Sequence, residues 1–575
     1  MNKIKIKYIH FFACLFIAIL CCLQIRSLDY IVVLNDEFGY WAHAASAVGY
    51  DWKELISETP YYSWGYSIWL IPIIAILPTP LLWYKAAILL NVAFLLLSYY
   101  LCYQSGSKLF PQISDKIMAL ISLVVIIYPS NIIYAQVAWS ETLCYFLFWL
   151  ETYLIIQLDE KFSLGFYFLS IIVPIYGYAV HNRNIGILLS SVIIITVILI
   201  KNKRNAGYYL LIPVLIIVGY KGIDMIKAHQ INILWNNSKA SSINNVGVDS
   251  ATLTHYASRI INEIKLLCIS IGGKYFYLLT GFAMTLPIVV IRFVKELCAK
   301  IKNKTILSDY ACSKLLILLS ATAMFGISAL QMNHWNTRKD MIVYGRYMEN
   351  ALGPLLLLAL AESVVYRKEL KTALVISTVS VLAGIFPVFY YMDNVNAGFN
   401  SICSPFIGVF FRIINDTPTV FAILGIFFAL VLTILYLSSS IRNTNIGTAI
   451  IILCFGLTYS TLACILGYYS AESRKGYDEC RSALYEQVSG ERDDYELYYV
   501  KNLDYDSLST NPKYLQFMIP NRTIHIIHPN EIKEHLKQNA IIMTNPKDEA
   551  SQKYLCDNGS ALLECNYLLA LYTVN

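Results

Sequence analysis

The feature that most constrains this chain is a series of apolar runs of about twenty residues, repeated from position 8 to position 469 and absent after 470. Coiled into a helix rising about 1.5 Å per residue, one such run matches the roughly 30 Å hydrocarbon layer of a bilayer. Of 575 residues, 57% are hydrophobic and 14% charged, with a mean hydropathy of +0.54. A water-soluble fold of that composition needs a core that takes in most of the chain, whereas a membrane solvates those side chains directly.

Thirteen spans are expected, over 8–24, 82–103, 117–135, 142–157, 165–180, 185–200, 207–222, 275–294, 314–332, 348–366, 372–390, 419–438 and 447–468. Lys3, Lys5 and Lys7 precede the first run as in a signal peptide, but no small-residue cleavage site follows, so the run is read as an uncleaved helix. With the N-terminus inside, the cytoplasmic turns collect Lys201, Lys203 and Arg204, then Lys295, Lys300, Lys302 and Lys304, then Arg367, Lys368 and Lys371. That is the bias expected of inner loops. The loops at 25–81, 223–274 and 391–418 then fall outside, as does everything after the last span. The stretch 66–77, bounded by Pro72, Pro78 and Pro80, is short for a span and is read as a helix along the outer interface.

The expected fold is thus an α-helical polytopic membrane protein, with a transmembrane domain over 1–469 and a small exoplasmic α/β domain over 470–575. Strand-like runs at 495–500, 523–528, 540–544 and 567–574 alternate there with a polar helical stretch at 530–537. His525 and His528 lie an odd number apart in one strand, so they face opposite sides and are not expected to share a metal. The formal charge of +6 is scattered in short clusters between apolar runs, which argues for membrane orientation and against a nucleic-acid partner. Fourteen cysteines show no metal-ligand spacing; Cys480, Cys556 and Cys565 could supply one disulfide in an exported tail, with Cys556 and Cys565 as the candidate pair.

Chemistry-bearing residues gather on the outer side. Asp36 and Glu37 open the first outer loop, Glu58 follows before the interfacial helix, and Glu141 in Trp139-Ser140-Glu141 sits at the same membrane level. Asp36 either caps a helix over 37–45 or serves as a general base or metal ligand. His181, Arg183, Arg338, Lys339 and Arg346 occupy outer turns, where basic residues are few. They point to an anionic group such as a lipid phosphate, which arginine grips through paired donors, or to ion pairs with Glu141 or Glu349. The segments 221–274 and 393–417 suit loops that order over a lipid donor, or plain connectors. Trp235 and Tyr256 suit sugar stacking or interfacial anchoring.

An N-terminal span followed by the outer pair in Asp36-Glu37-Phe38-Gly39-Tyr40, many further spans and an exoplasmic tail resemble the C-type glycosyltransferase superfamily. Its relatives include protein O-mannosyltransferases and the bacterial transferases that move aminoarabinose onto lipid A. Glu58-Thr59-Pro60 resembles that superfamily's Glu-x-Pro element. Tyr128-Pro129-Ser130, Trp139-Ser140-Glu141 and Gly345-Arg346-Tyr347 extend the likeness. The aminoarabinose branch carries lysine after the Glu, and this chain has Thr59, which departs from a lipid A acceptor.

The resemblance implies transfer of a sugar from a polyprenyl-phosphate-linked donor to a hydroxyl of a glycan, lipid or protein, with inversion, at the outer face of a bacterial plasma membrane. It implies Asp36 and Glu37 as the catalytic pair, with Asp36 as base. Arg183, Arg346, His181, Arg338 and Tyr347 would meet the donor phosphate. Glu58 and Glu141 would serve a divalent metal ion or the acceptor. Two rival readings remain: a transporter or lipid flippase, whose charges belong at mid-bilayer, whereas here only Glu151 and Glu362 are main acids within or near spans and the charged clusters lie at the outer surface, and a glycan polymerase or ligase using diphosphate-linked lipids.

Overall fold

The computed structural model describes residues 2–28, 31, 34–235, 261, 263–303, 310–333, 337–395, 398–414, 416–441, 443–506, 509–537 and 539–574. Tyr256 lies outside them. Eight of the described helices are long and apolar enough to cross a membrane, or ten when two bent helix pairs each count as one span. The three remaining segments of the expected thirteen fall short for separate reasons. Glu141–Glu160 carries four acids along its length, and Leu164–Val180 has only 17 residues. The segment expected at 275–294 is broken into Ile264–Gly281 and Pro287–Asn303 by a turn in which Ala283 and Met284 take positive φ. Pro287 opens the second helix, where its missing N–H costs nothing.

The bent pairs mark where the bundle deviates from straight rods. Asp115–Ile126 meets Pro129–Ala135 at 61°, and Lys339–Glu349 meets Leu352–Val365 at 84°. In both cases the bend places polar groups at one end of the bundle. At the opposite end ion pairs tie neighbouring helices together, with Lys201 on Asp159 at 2.8 Å and Lys295 on Glu369 at 3.0 Å. The stretch expected at the interface forms the Ser67–Ile76 helix, separate from Pro80–Leu109 and tied down by Ser67, which donates to the Tyr40 carbonyl at 2.8 Å.

The Ala206–Leu234 helix is longer than its expected span and runs to Trp235. That side chain is fully buried, donates to the Thr59 carbonyl at 2.9 Å and packs on His43 and Tyr61, so it anchors a helix end to the first outer segment. Neither of the roles expected for it, sugar stacking or interfacial anchoring, matches that burial.

The last helix, Thr444–Val488, spans 45 residues and continues through position 470 without a break. It delivers the chain to a five-stranded sheet. The strands are β1 Glu496–Val500, β2 Ile524–Ile527, β3 Ala540–Thr544, β4 Ser560–Cys565 and β5 Ala570–Val574, in spatial order β2-β1-β3-β5-β4. β1 runs parallel to β2 and β3, while β5 is antiparallel to β3 and β4. The expected strand at 567–574 is shortened by a turn at Asn566–Leu569, and β4 lies on the sheet edge with one buried residue of six, which hides its pattern. Cys556 and Cys565 are both free and exposed.

The sheet is locked onto the first outer segment. Phe517, from the Pro512–Met518 helix, inserts among Trp41, Trp52, Trp83 and Tyr84, with ring centroids 5.3–6.5 Å away. Glu54 accepts from His525 Nδ1 at 2.7 Å and from the Ile526 N–H at 2.6 Å, so a carboxylate satisfies the free edge of β2. His528 points elsewhere and caps the turn of helix over Pro529–His535.

Candidate active site

The site forms where four chain segments end on the same side of the bundle. Asp36 stands in the first turn of the Leu34–Val48 helix, and Glu141 opens Glu141–Glu160. Arg183 sits in the tight turn Asn182–Asn184 between two apolar helices, and Arg346 starts the short helix Arg346–Glu349. Helix N-termini favour the two acids, because the unpaired N–H groups there carry partial positive charge.

Arg346 joins both acids. Its Nη1 lies 2.6 Å from Asp36 Oδ2 and its Nε lies 2.6 Å from Glu141 Oε1. Arg183 Nη2 reaches the same Glu141 oxygen at 3.1 Å. Aromatic faces support both guanidinium groups, Arg346 lying 3.9 Å from the Trp139 ring centroid and Arg183 4.8 Å from that of Tyr347. Two cations and two anions therefore form a neutral cluster. Glu141 and Arg183 are almost wholly buried, whereas Asp36 keeps 21% of its side chain exposed. Arg183 Nε and Nη1 and Glu141 Oε2 are buried without a hydrogen-bond partner among the described residues. Orphaned donors on a buried arginine are costly, and an anion placed there would satisfy them.

Asp36 is held from its other side by Tyr62, whose hydroxyl donates to Oδ1 at 2.7 Å. Gly39 makes this possible, since a Cβ there would fall 2.2 Å from the Tyr62 ring. Burial and the Asp36 charge hold the Tyr62 phenol well above its ordinary pKa, so it stays a donor. His181 completes the rim. Its ring lies 6.1 Å from that of Tyr347, and burial with the nearby Arg183 and Arg346 charges keeps its pKa well below the usual value, so it is neutral.

Other expected site residues lie apart from this cluster. Glu37 points away from Asp36 into the core, fully buried, and accepts from the Tyr84 hydroxyl and the Ala138 N–H, both at 2.8 Å. Arg338 is engaged by Asp340, with Nε on Oδ1 at 3.0 Å. Glu349 accepts from the hydroxyls of Tyr134 and Tyr277, while Glu141 takes the arginines. Glu58 pairs with Lys501, which directly follows β1 and is 4% exposed. Lys513 donates to Asn35 beside Asp36, at 2.7 Å.

The carboxylates do not suit a metal. Glu141 is occupied by two arginines and Glu58 by a lysine, and among the described residues no group of three or more His, Cys, Asp or Glu side chains could hold one. Tyr62 and the lysines from the tail were not legible as site residues, and Trp139 stood out only as part of Trp139-Ser140-Glu141. Aromatic side chains are common at membrane interfaces, and Lys501 meets Glu58 across more than 400 positions of sequence.

No protein-family model matches the sequence, and no curated protein sequence does. The structure is similar to that of ArnT from Cupriavidus metallidurans bound to undecaprenyl phosphate, with a TM-score of 0.56 and 12% identity, covering 98% of this chain and 97% of that one. The apo state of the same protein gives a TM-score of 0.52 at the same identity and coverage. Over 98% of its length, this chain shares the fold of that ArnT structure.

Proposed function

We propose that the chain is a membrane glycosyltransferase that moves a sugar from a polyprenyl-phosphate donor to an acceptor hydroxyl, with inversion, at the outer face of a bacterial plasma membrane. The observation that carries this reading is the neutral cluster of Asp36, Arg346, Glu141 and Arg183, which leaves buried guanidinium donors unsatisfied. Such a site invites an anion and keeps a carboxylate beside it. The undecaprenyl phosphate bound to ArnT, which shares the fold, supports a lipid phosphate as that anion.

The charges account for the sequence of events. An arriving phosphodiester competes with Asp36 for Arg346 and takes up the spare donors of Arg183, so donor binding releases Asp36 from its strongest partner. The acceptor oxygen then attacks the anomeric carbon from the face opposite the phosphate, and the bond from that carbon to the phosphate oxygen breaks. The acceptor proton passes to Asp36. The departing lipid phosphate gains one negative charge, and protonated Asp36 no longer competes for Arg346, so both guanidinium groups face the new charge. No metal is needed for this balance. Tyr62 keeps Asp36 aimed throughout.

Purified protein given a monophosphate-linked polyprenyl sugar and a hydroxyl acceptor is expected to form a glycosidic bond, and a diphosphate-linked donor is expected to be inert. Reaction with only the diphosphate-linked donor would instead make the protein a polymerase or ligase. Movement of lipid across vesicles without bond formation would make it a flippase.

A further inference from the structure

A groove of about 460 Å³ opens between the Arg367–Asp393 and Thr417–Ser440 helices, toward the end of the bundle remote from Asp36. One wall is the stripe Leu374, Val375, Thr378 and Val379, and the other is Ala429, Leu432, Thr433, Tyr436 and Leu437. Both follow the three-and-four spacing of a single helix face. The two threonines add no polarity, because Thr378 and Thr433 each donate to a carbonyl of their own helix at 2.7 Å. Apart from the Tyr436 hydroxyl near its positive end, the groove therefore offers hydrocarbon along about 12 Å, the rise from Ala429 to Leu437.

Its remote end is positive. Lys371 stands one turn before Val375 on the same face, with its ammonium 5.4 Å from the ring centroid of Tyr436, and Lys368 is one turn further out and exposed. Neither has a carboxylate partner among the described residues. The one acid between them, Glu369, is turned toward Arg292 and Lys295. An apolar slot of hydrocarbon length, capped by two unpaired ammonium groups at a membrane boundary, matches one chain and the headgroup of an anionic lipid.

We propose that this groove is a binding site for an anionic phospholipid, with an acyl chain between Val375 and Leu437 and the phosphate at Lys371 and Lys368. It is separate from the donor site and does not depend on the chemistry assigned to Asp36. The ammonium over the Tyr436 ring orients the headgroup, while Lys368 adds charge without geometry.

Native mass spectrometry of the protein equilibrated with phosphatidylglycerol, phosphatidylcholine or undecaprenyl phosphate tests this directly. The wild type is expected to retain one more phosphatidylglycerol than phosphatidylcholine. Lys368→Gln with Lys371→Gln should weaken that retention by about tenfold or more, the scale of removing two lysines beside an anionic headgroup. Val375→Trp, which fills the slot and keeps both charges, should also lose it. Equal retention of both phospholipids, retention unchanged by either variant, or sole retention of undecaprenyl phosphate would overturn the proposal. So would a dimer that Val375→Trp disperses, since the groove would then seat a second copy of the chain.

Discussion

Arg346 does the work of two residues, bridging Asp36 and Glu141 while sitting over the Trp139 ring. A lysine supplies one point charge and no planar fork, so Arg346→Lys cannot satisfy both carboxylates at once. Transfer by that variant is expected to fall about 10²- to 10³-fold, the usual loss when a donor to developing negative charge is removed. The fall should appear in kcat as well as in KM, which steady-state kinetics with purified protein would resolve. Lys513 gives a second prediction at this scale. Burial pushes its ammonium down to about 7 against the pull of Asp506 and Glu58. The folded state therefore sheds a proton that the unfolded chain keeps up to about 10.4, so this residue makes stability rise with pH between about 7 and that value. Replacement by methionine should remove that rise, and chemical unfolding followed at pH 7 and pH 10 would show it. The four charged members of the cluster were legible in the sequence, because acids and arginines stood out at the outer ends of apolar runs. Glu37 was misleading: its adjacency to Asp36 suggested a pair, but successive helix positions point about 100° apart, and the next residue turns into the core.

Among the elements, the apolar runs marked most helices to within a few residues, since about twenty hydrophobic positions leave little choice of structure. The break between Ile264–Gly281 and Pro287–Asn303 was hidden, because its turn is built mostly from apolar residues and only Gly281, Thr285 and Pro287 signal it. β4 escaped for the opposite reason, being an exposed edge strand with no buried face to impose alternation. The contact between the sheet and the first outer segment had no sequence signature, yet Phe517 is seated there among four aromatic rings. Truncating it to alanine should destabilise this joint by about 3–5 kcal/mol. Thermal unfolding should then show the sheet released before the bundle, and the strands should become sensitive to protease. A single unshifted transition would mean that the sheet does not depend on this anchor.

At the level of the whole molecule, Asp36, Glu141, Arg183 and Arg346 meet at one end of the bundle, and the sheet rests on that end through Glu54 and Glu58. Cys298, in the helix that reaches Glu369 through Lys295, belongs to the other end. Single-cysteine variants should therefore label from opposite sides. With a membrane-impermeant thiol reagent on intact cells, exposed Cys556 should react, and Cys298 should react only after permeabilisation. The central claim is that the cluster's one partly exposed carboxylate accepts the acceptor's proton. Single-turnover transfer from a polyprenyl-phosphate sugar by membrane-purified Asp36→Asn, with donor binding measured on the same sample, tests it most directly. The variant should bind donor at least as tightly as wild type, because its competitor for Arg346 is gone, and lose transfer by about 10²- to 10⁴-fold, the contribution expected of a general base. Transfer at the wild-type rate by a folded, donor-binding Asp36→Asn protein would contradict the account.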